Sequence, residues 1–322
     1  MFTLAAIARE TKHIGLVATG STTFNEPYNL AKQFKALDVM SHGRAGWNAI
    51  TSSSNDAAAN YGQRIPSSED RYARAHETVQ LVQALWGSWG RDIWAPDQNS
   101  GKFAKGGIDP INLHGKYVGS RGPLYIPPSE QGQPIIVHAG GSPNAHELAG
   151  RFASIVIGSA YTIENAKMQR KAFRDAAKRY GRDPDEIKFF AGIMTTITED
   201  RRSALDRRIK LTEHQFPERV AYLQRMLGIS LDLLSHGVFD PYPSVVGTAE
   251  QAADHLQEWF EAGAVDGFML NFDDFDTGIP NFVHEVVPIL RKRNLLHDEY
   301  IGKTLRENLD LPCQYGFDTR LR

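Results

Sequence analysis

Short apolar runs recur along this chain, most of them followed by a segment of helical periodicity. "IGLVATG" at 14–20 leads into "EPYNLAKQFKALDVMSHG", and "AGWNAIT" at 45–51 into a polar loop and then "SSEDRYARAHETVQLVQALWGSW". "PIIVHAG" at 134–140 precedes "SPNAHELAGRFA", "SIVIGSA" at 154–160 precedes "TIENAKMQRKAFRDAAKRYG", and "KFFAGIMTTIT" at 188–198 precedes "EDRRSALDRRIKLTEHQF". After an irregular stretch come the helix "TAEQAADHLQEWFEAGAVDG", the strand "FMLNF" and a closing helix "PNFVHEVVPILRKRN". Strands apolar on both faces need cover on both, which means a parallel sheet between helices. Repeated strand–helix units build either a doubly wound sheet or a TIM barrel. No GxGxxG or GxxxxGK[ST] run follows a strand, which weighs against dinucleotide and P-loop sites. Polar residues instead collect at strand ends: Thr19 and Ser21, Asn48 and Thr51, then Ser142. In a barrel that rim carries the chemistry. The chain shows about six such strands where a closed barrel needs about eight. The chain also opens on a helix, "TLAAIARETKH", as if a strand–helix–strand piece were missing upstream.

The 322 residues carry 36 Lys+Arg against 38 Asp+Glu, a formal charge of -2, so nothing selects for nucleic acid or an anionic membrane. "KMQRKAFRDAAKR" is basic but has the spacing of a solvated helix face. A single cysteine, Cys313, excludes an internal disulfide framework and suits a cytoplasmic location. No apolar run is long enough to span a bilayer, and Arg9, Glu10 and Lys12 break the N-terminal run before it can read as a signal peptide.

"VHAGGSPNAHELAG" is the most suggestive local pattern. A strand ends in Gly140 and Gly141, Ser142 stands where a helix N-cap belongs, and Pro143 takes the first helical position. Glycines let an anion approach the backbone, and the free N–H groups of a helix start favour a phosphate there. An ordinary capped turn accounts for the same residues. The histidines show no HExxH spacing, and no GxSxG or Cys–His pairing is present, so metal and nucleophile chemistry lack a signature. "DDFD" at 273–276 reads as a solvated loop rather than a cation site.

Several stretches resemble the bacterial luciferase-like flavin monooxygenases, in the branch of nitrilotriacetate monooxygenase component A. They are "IGLVATGSTTFNEPYNLAKQFKALDVMSHGRAGWNAITSSSNDAAANYG", "RYARAHE", "RGPLYIPPSEQGQPIIVHAGGS", "AVDGFMLNF" and "VVPILRKRNLLHDEYIGKTLRENLDLP", so the likeness runs from Met1 to Pro312. It implies a luciferase-like TIM (β/α)8 barrel with insertions, over 1–322 as one domain, lacking its first two strands at the N-terminal side. It implies a monooxygenase that uses FMN as FMNH2 together with O2 and oxidises a small organic substrate through a flavin C4a-peroxide. An NAD(P)H:flavin oxidoreductase would supply the reduced FMN, and the enzyme would be a homo-oligomer. The alternative is a non-catalytic or weakly flavin-binding remnant of such a barrel. Relatives on the same fold that transfer hydride to a deazaflavin, and metal-dependent barrel hydrolases, fit the motifs less well.

The resemblance also names a cofactor site. Gly141 and Ser142 would take the FMN phosphate, and Tyr72 would reach the phosphate or ribityl chain. A family histidine four residues before that tyrosine is Ser68 here, which loses a cation. Thr19, Asn48 and Thr51 would contact the flavin ring, and His138, where the family often has glutamine, would point towards it. Trp47 is expected to pack between barrel and helices. "SSSNDAAANYG" is expected to begin a loop that wraps the cofactor. Arg44 suits an ion pair with Asp38 at least as well as a flavin contact. No catalytic base and no metal ligand is assigned.

Overall fold

The computed structural model describes residues 1–212 and 242–318. They form two compact units, Met1–Val156 with Phe173–Ile187 and Tyr300–Arg322, and Ile157–Ala172 with Lys188–Glu299.

The first unit runs α1 (Phe2–Glu10), β1 (Leu16–Ser21), α2 (Pro27–Met40), β2 (Ala45–Ile50), α3 (Asn55–Asn60) and α4 (Ser68–Trp86). Two small hairpins follow, β3 (Trp94–Asp97) with β4 (Lys102–Ala104) and β5 (Leu113–His114) with β6 (Gly119–Ser120). Then come β7 (Ile135–Ala139), α5 (Pro143–Phe152) and the start of β8 (Ile155–Gly158). β1, β2 and β7 lie side by side and parallel, with Leu16 opposite Ala45, Thr19 opposite Asn48, and Asn48 opposite Val137. This register brings the C-terminal ends of the three strands to one rim.

The helices form for readable reasons. Pro27 starts α2 at a position that needs no amide hydrogen, and Leu30, Phe34 and Leu37 turn one buried face inward. His42 (φ 56) and Gly43 (φ 77) then reverse the chain into β2. Trp47 is wholly buried, edge-on to Trp86 with ring centroids 6.1 Å apart, and donates Nε1–H to Gly20 O at 3.0 Å. A Cβ on Gly20 would stand 2.7 Å from that indole nitrogen, so the strand is glycine where the tryptophan crosses it. Truncating such an aromatic removes about 3–5 kcal/mol.

A buried polar network ties the unit's far ends together. Asp38 is fully buried and accepts from Ser129 Oγ (2.5 Å), Gln131 Nε2 (2.5 Å) and Ala45 N (3.1 Å). Burial raises its pKa to about 6, against the opposing pull of Lys35 and these hydrogen bonds. Lys35, equally buried, donates to Gly132 O, and burial lowers it to about 8. From the C-terminal segment, Arg306 donates its backbone N–H to Gln131 Oε1 (3.2 Å) and its Nε–H to Gln133 O (3.0 Å).

Arg44 does not pair with Asp38. Its guanidinium, nearly all of it inside, donates to Ala8 O, Thr11 O, Ile14 O and Ser41 O at 2.7–2.9 Å. The last carbonyls of α1 have no partner within the helix, and a planar five-donor cation satisfies them better than it would one carboxylate.

In the second unit, β9 (Lys188–Ile197) runs parallel to β10 (Ser244–Gly247) and β11 (Gly267–Phe272), with Ser244 opposite Met194 and Gly267 opposite Phe190. Ile193, Ile197, Val245, Leu256 and Phe282 share its core. Asp266 fastens it, taking Arg170 Nε (3.0 Å), Arg170 Nη2 (2.6 Å) and Phe189 N (2.8 Å). β10 falls in the stretch read as irregular, because four residues give no measurable alternation. After α6 (Ile163–Arg179), the helix predicted through residue 216 is seen as α7 (Arg201–Thr212), and the rest lies outside the described residues. The closing helix is broken by a π turn at Phe282–Val286, just ahead of Pro288, which has no amide hydrogen to donate.

Asp38 holds three donors in place. We expect Asp38→Ala to lower unfolding free energy by about 3–5 kcal/mol in urea titrations, the cost of breaking a buried charged cluster from one side.

Candidate functional site

All seven predicted site residues lie in the first unit, on β1, β2, β7, α4 and the turns beside them. The strands deliver Thr19 and Asn48 as register partners, and Asn48 Nδ2–H donates to Thr19 Oγ1 at 3.1 Å. The other end of that amide, Asn48 Oδ1, is buried and has no partner among the described residues. Thr51 follows β2 directly and is half-buried. Ser52 Oγ donates to Ser21 Oγ at 2.9 Å, pinning the next loop to the end of β1 before Ser54 caps the short helix α3.

On β7, His138 is 1% exposed and donates Nδ1–H to Ala49 O at 2.7 Å. A carbonyl can only accept, so the proton is on Nδ1 and Nε2 carries a lone pair. That Nε2 is buried and unpartnered. Burial depresses the pKa of the ring, more than the Ala49 hydrogen bond raises it, so His138 is neutral at pH 7. Tyr72 stands edge-on to it, with centroids 6.2 Å apart. Two residues further, Gly140 has φ +151, and a Cβ there would meet Ala145 Cβ at 3.1 Å, Tyr72 Oη at 3.4 Å and His138 Nε2 at 3.5 Å. The absent side chain leaves a cradle bounded by these polar atoms.

The turn ends as the sequence indicates. Gly141 has open space on the side where a Cβ would project. Ser142 caps α5, its Oγ accepting from Ala145 N at 3.2 Å, and Pro143 is the first helical residue. Gly141 and Ser142 are both exposed. The site therefore combines an open helix start with two buried acceptors, Asn48 Oδ1 and His138 Nε2, that have no partner among the described residues. A flavin mononucleotide matches both features: an anionic phosphate for the helix start, and ring and ribityl N–H and O–H donors for the acceptors.

Sequence reasoning missed two parts of the surroundings. His76, one helical turn after Tyr72, tilts against Phe152 at 5.8 Å. Burial foremost, then Arg151, lowers it to about 4. Neither His76 nor His138 supplies positive charge here. The second part is Arg71 and Arg74 on a different face of α4. Their i,i+3 spacing beside the strand-end "TT" of 22–23 was the signal available. Ser67 caps α4, its Oγ accepting from Asp70 N at 3.0 Å, and Ser68 is the first helical residue.

Elsewhere, Asp273 accepts from Arg207 Nε at 2.8 Å, and Asp274 caps the helix Phe275–Asn281. The acidic run thus serves an ion pair and a cap. Among the described residues no group of His, Cys, Asp or Glu is placed to hold a metal, and no helix is long and apolar enough to cross a membrane.

The sequence profile of the luciferase-like monooxygenases matches residues 1–266. The chain is 34% identical to N-acetyl-S-(2-succino)cysteine monooxygenase of Bacillus subtilis, covering 96% of this chain and 80% of that protein. It is 31% identical to nitrilotriacetate monooxygenase component A of Aminobacter aminovorans, over 96% of this chain and 78% of that protein. Among solved structures it superposes on EDTA monooxygenase from Chelativorans sp. BNC1 with a TM-score of 0.86 and 30% identity, covering 97% of this chain and 81% of the other.

His76 makes the unit sensitive to acid. Its folded pKa of about 4 lies below its unfolded value, so the stability is present above pH 6.5 and lost as pH falls towards 4. We expect unfolding free energy to drop by roughly 1–2 kcal/mol between pH 7 and pH 5 on account of this group, and His76→Gln to flatten that slope.

Proposed function

Because this chain belongs to the luciferase-like monooxygenase family and has its (β/α)-barrel fold, we propose that it is the oxygenating component of a two-component system, using reduced FMN and O2 to oxidise a small organic substrate. The observation that carries the flavin assignment is the pairing of an open, capped helix start with unpartnered acceptors at the adjoining strand ends. A separate NAD(P)H:flavin oxidoreductase would deliver the reduced cofactor. Reduced FMN, when bound, supplies the electrons and the centre at which O2 is activated.

The protein's own part is placement. The backbone N–H groups of Gly141, Ser142 and Asn144 meet the phosphate, since Pro143 has none and that of Ala145 goes to the cap, and the Ser142 hydroxyl and Tyr72 complete its shell. The helix dipole favours a dianion there by about 0.3–1 kcal/mol. Asn48 Oδ1 and His138 Nε2 accept from the flavin's donors, and the Ala49 hydrogen bond fixes which nitrogen of His138 is free. Thr19 orients the Asn48 amide so that its oxygen faces the site. Thr51 stands at the end of the same strand, within the rim. A neutral His138 suits an environment that must accept hydrogen bonds without adding charge.

The test separates phosphate recognition from ring recognition. Asp is as good an N-cap as Ser, so Ser142→Asp keeps α5 intact while putting a negative charge beside the phosphate. We expect it to weaken FMN binding by at least about tenfold, the effect of losing one charged hydrogen bond to repulsion. Riboflavin, which lacks the phosphate, should bind the variant and the parent alike in the same fluorescence titration. Equal FMN affinity in both proteins would remove the phosphate from this turn.

A further inference from the structure

A second concavity of about 320 Å3 opens in the same unit, between the loop after β1 and the start of α4. Its walls include Thr23, Phe24, Glu26, Arg71 and Arg74. The volume is at the lower end of what small-molecule sites occupy. It lies beside the end of the strand that carries Thr19, and on α4, but on a helix face other than that of Tyr72.

The donors divide into used and unused. Arg74 is held in place by two of its five donors: its Nε–H goes to Thr22 O at 3.0 Å and one Nη1–H to Tyr117 O at 3.2 Å. Arg71 gives one Nη1–H to Pro66 O at 2.5 Å, while its Nε is buried with no partner. Thr23 is 7% exposed and its Oγ1 is also unpartnered. Arg71 and Thr23 both line this cavity, and their buried N–H and hydroxyl, without partners among the described residues, each carry a desolvation cost that turning the side chain onto a ligand oxygen would relieve. Of the acids nearby, Asp70 already has both oxygens occupied, by Tyr117 Oη at 2.9 Å and Ser67 Oγ at 2.7 Å. Glu26 is exposed and makes no capping bond. Phe24, stacked on Tyr61 with centroids 4.6 Å apart, adds an apolar wall.

We propose that this cleft binds the carboxylate of a small organic acid, Arg71 and Thr23 donating to its two oxygens while Phe24 packs on its hydrocarbon part, and that it holds the non-reacting end of the substrate. The last clause rests on the flavin assignment above; the carboxylate site itself does not. A planar cation with a free N–H next to a hydroxyl suits a carboxylate, because such charge-assisted bonds are about twice as strong as neutral ones. Glu26 at the rim repels a second negative charge and so limits how tightly the acid is held.

Succinate is the probe and succinamide its uncharged counterpart, with affinities read by saturation-transfer NMR and FMN affinity read separately by fluorescence. Succinate should saturate the protein and succinamide should not. Arg71→Gln should weaken succinate by at least about tenfold and Thr23→Val by about threefold or more, the loss of a charged and a neutral hydrogen bond. Glu26→Gln should strengthen it by about twofold or more by removing a like charge. This opposite change keeps the test decisive if either loss variant unfolds. FMN affinity should be the same in all three variants. Succinate binding that ignores all three substitutions, or succinamide binding as well as succinate, would overturn the proposal. So would a parallel loss of FMN affinity, which would assign the cleft to the cofactor. If the parent protein fails to bind FMN but succinate follows the predicted pattern, the flavin assignment falls and the carboxylate site stands.

Discussion

The chain leaves a buried strand and begins a helix within four residues, and the candidate site depends on that constraint. His138 is still inside the sheet, Gly140 must adopt a backbone conformation only glycine takes easily, and Ser142 already caps α5. So abrupt a change leaves open space beside Gly141 at the helix start, near a ring nitrogen that the fold has desolvated and left without a partner among the described residues. Had the turn been longer, loop residues would have filled the cradle. A side chain at Gly140 would have pressed against Tyr72, His138 and Ala145.

The rest of the unit keeps that rim in register. Parallel strands hold Thr19, Asn48 and Val137 abreast, and Trp86 of α4 packs edge-on against Trp47 of β2 while its indole N–H reaches Ala31 O of α2 at 3.0 Å. Much of the fastening is polar and buried: Asp38 with Ser129 and Gln131, Arg306 on the carbonyls after them, and Arg44 on the end of α1. Such groups add little net stability compared with apolar packing, but they tolerate no alternative arrangement once formed. Rigid supports of this kind suit a site that must place a ligand rather than react with it.

The sequence revealed the periodic and punctuated parts well. Strand–helix alternation, the Pro27 and Pro143 starts, the Ser142 cap and the buried Trp47 follow from rules that act within a few residues. What escaped depends on partners far away in the chain. Arg44 looked like half of an ion pair with Asp38, six residues back, yet it serves α1, while Asp38 is satisfied from Ser129 and Gln131. β10 was too short to show a period, and the break in the closing helix came from one missing amide hydrogen at Pro288. The tautomer of His138 rests on a carbonyl in a neighbouring strand, and the two free donors of the second cleft emerge only once neighbouring groups have taken theirs.

Amide 15N–1H spectra recorded with FMN and with riboflavin show whether the turn between β7 and α5 receives the phosphate of a flavin nucleotide. FMN should shift the resonances of Gly141, Asn144 and Ala145 while riboflavin leaves them nearly still, with both ligands perturbing the Asn48 side-chain amide. Equal shifts at the turn with the two ligands, or no response of the turn to FMN, would contradict it.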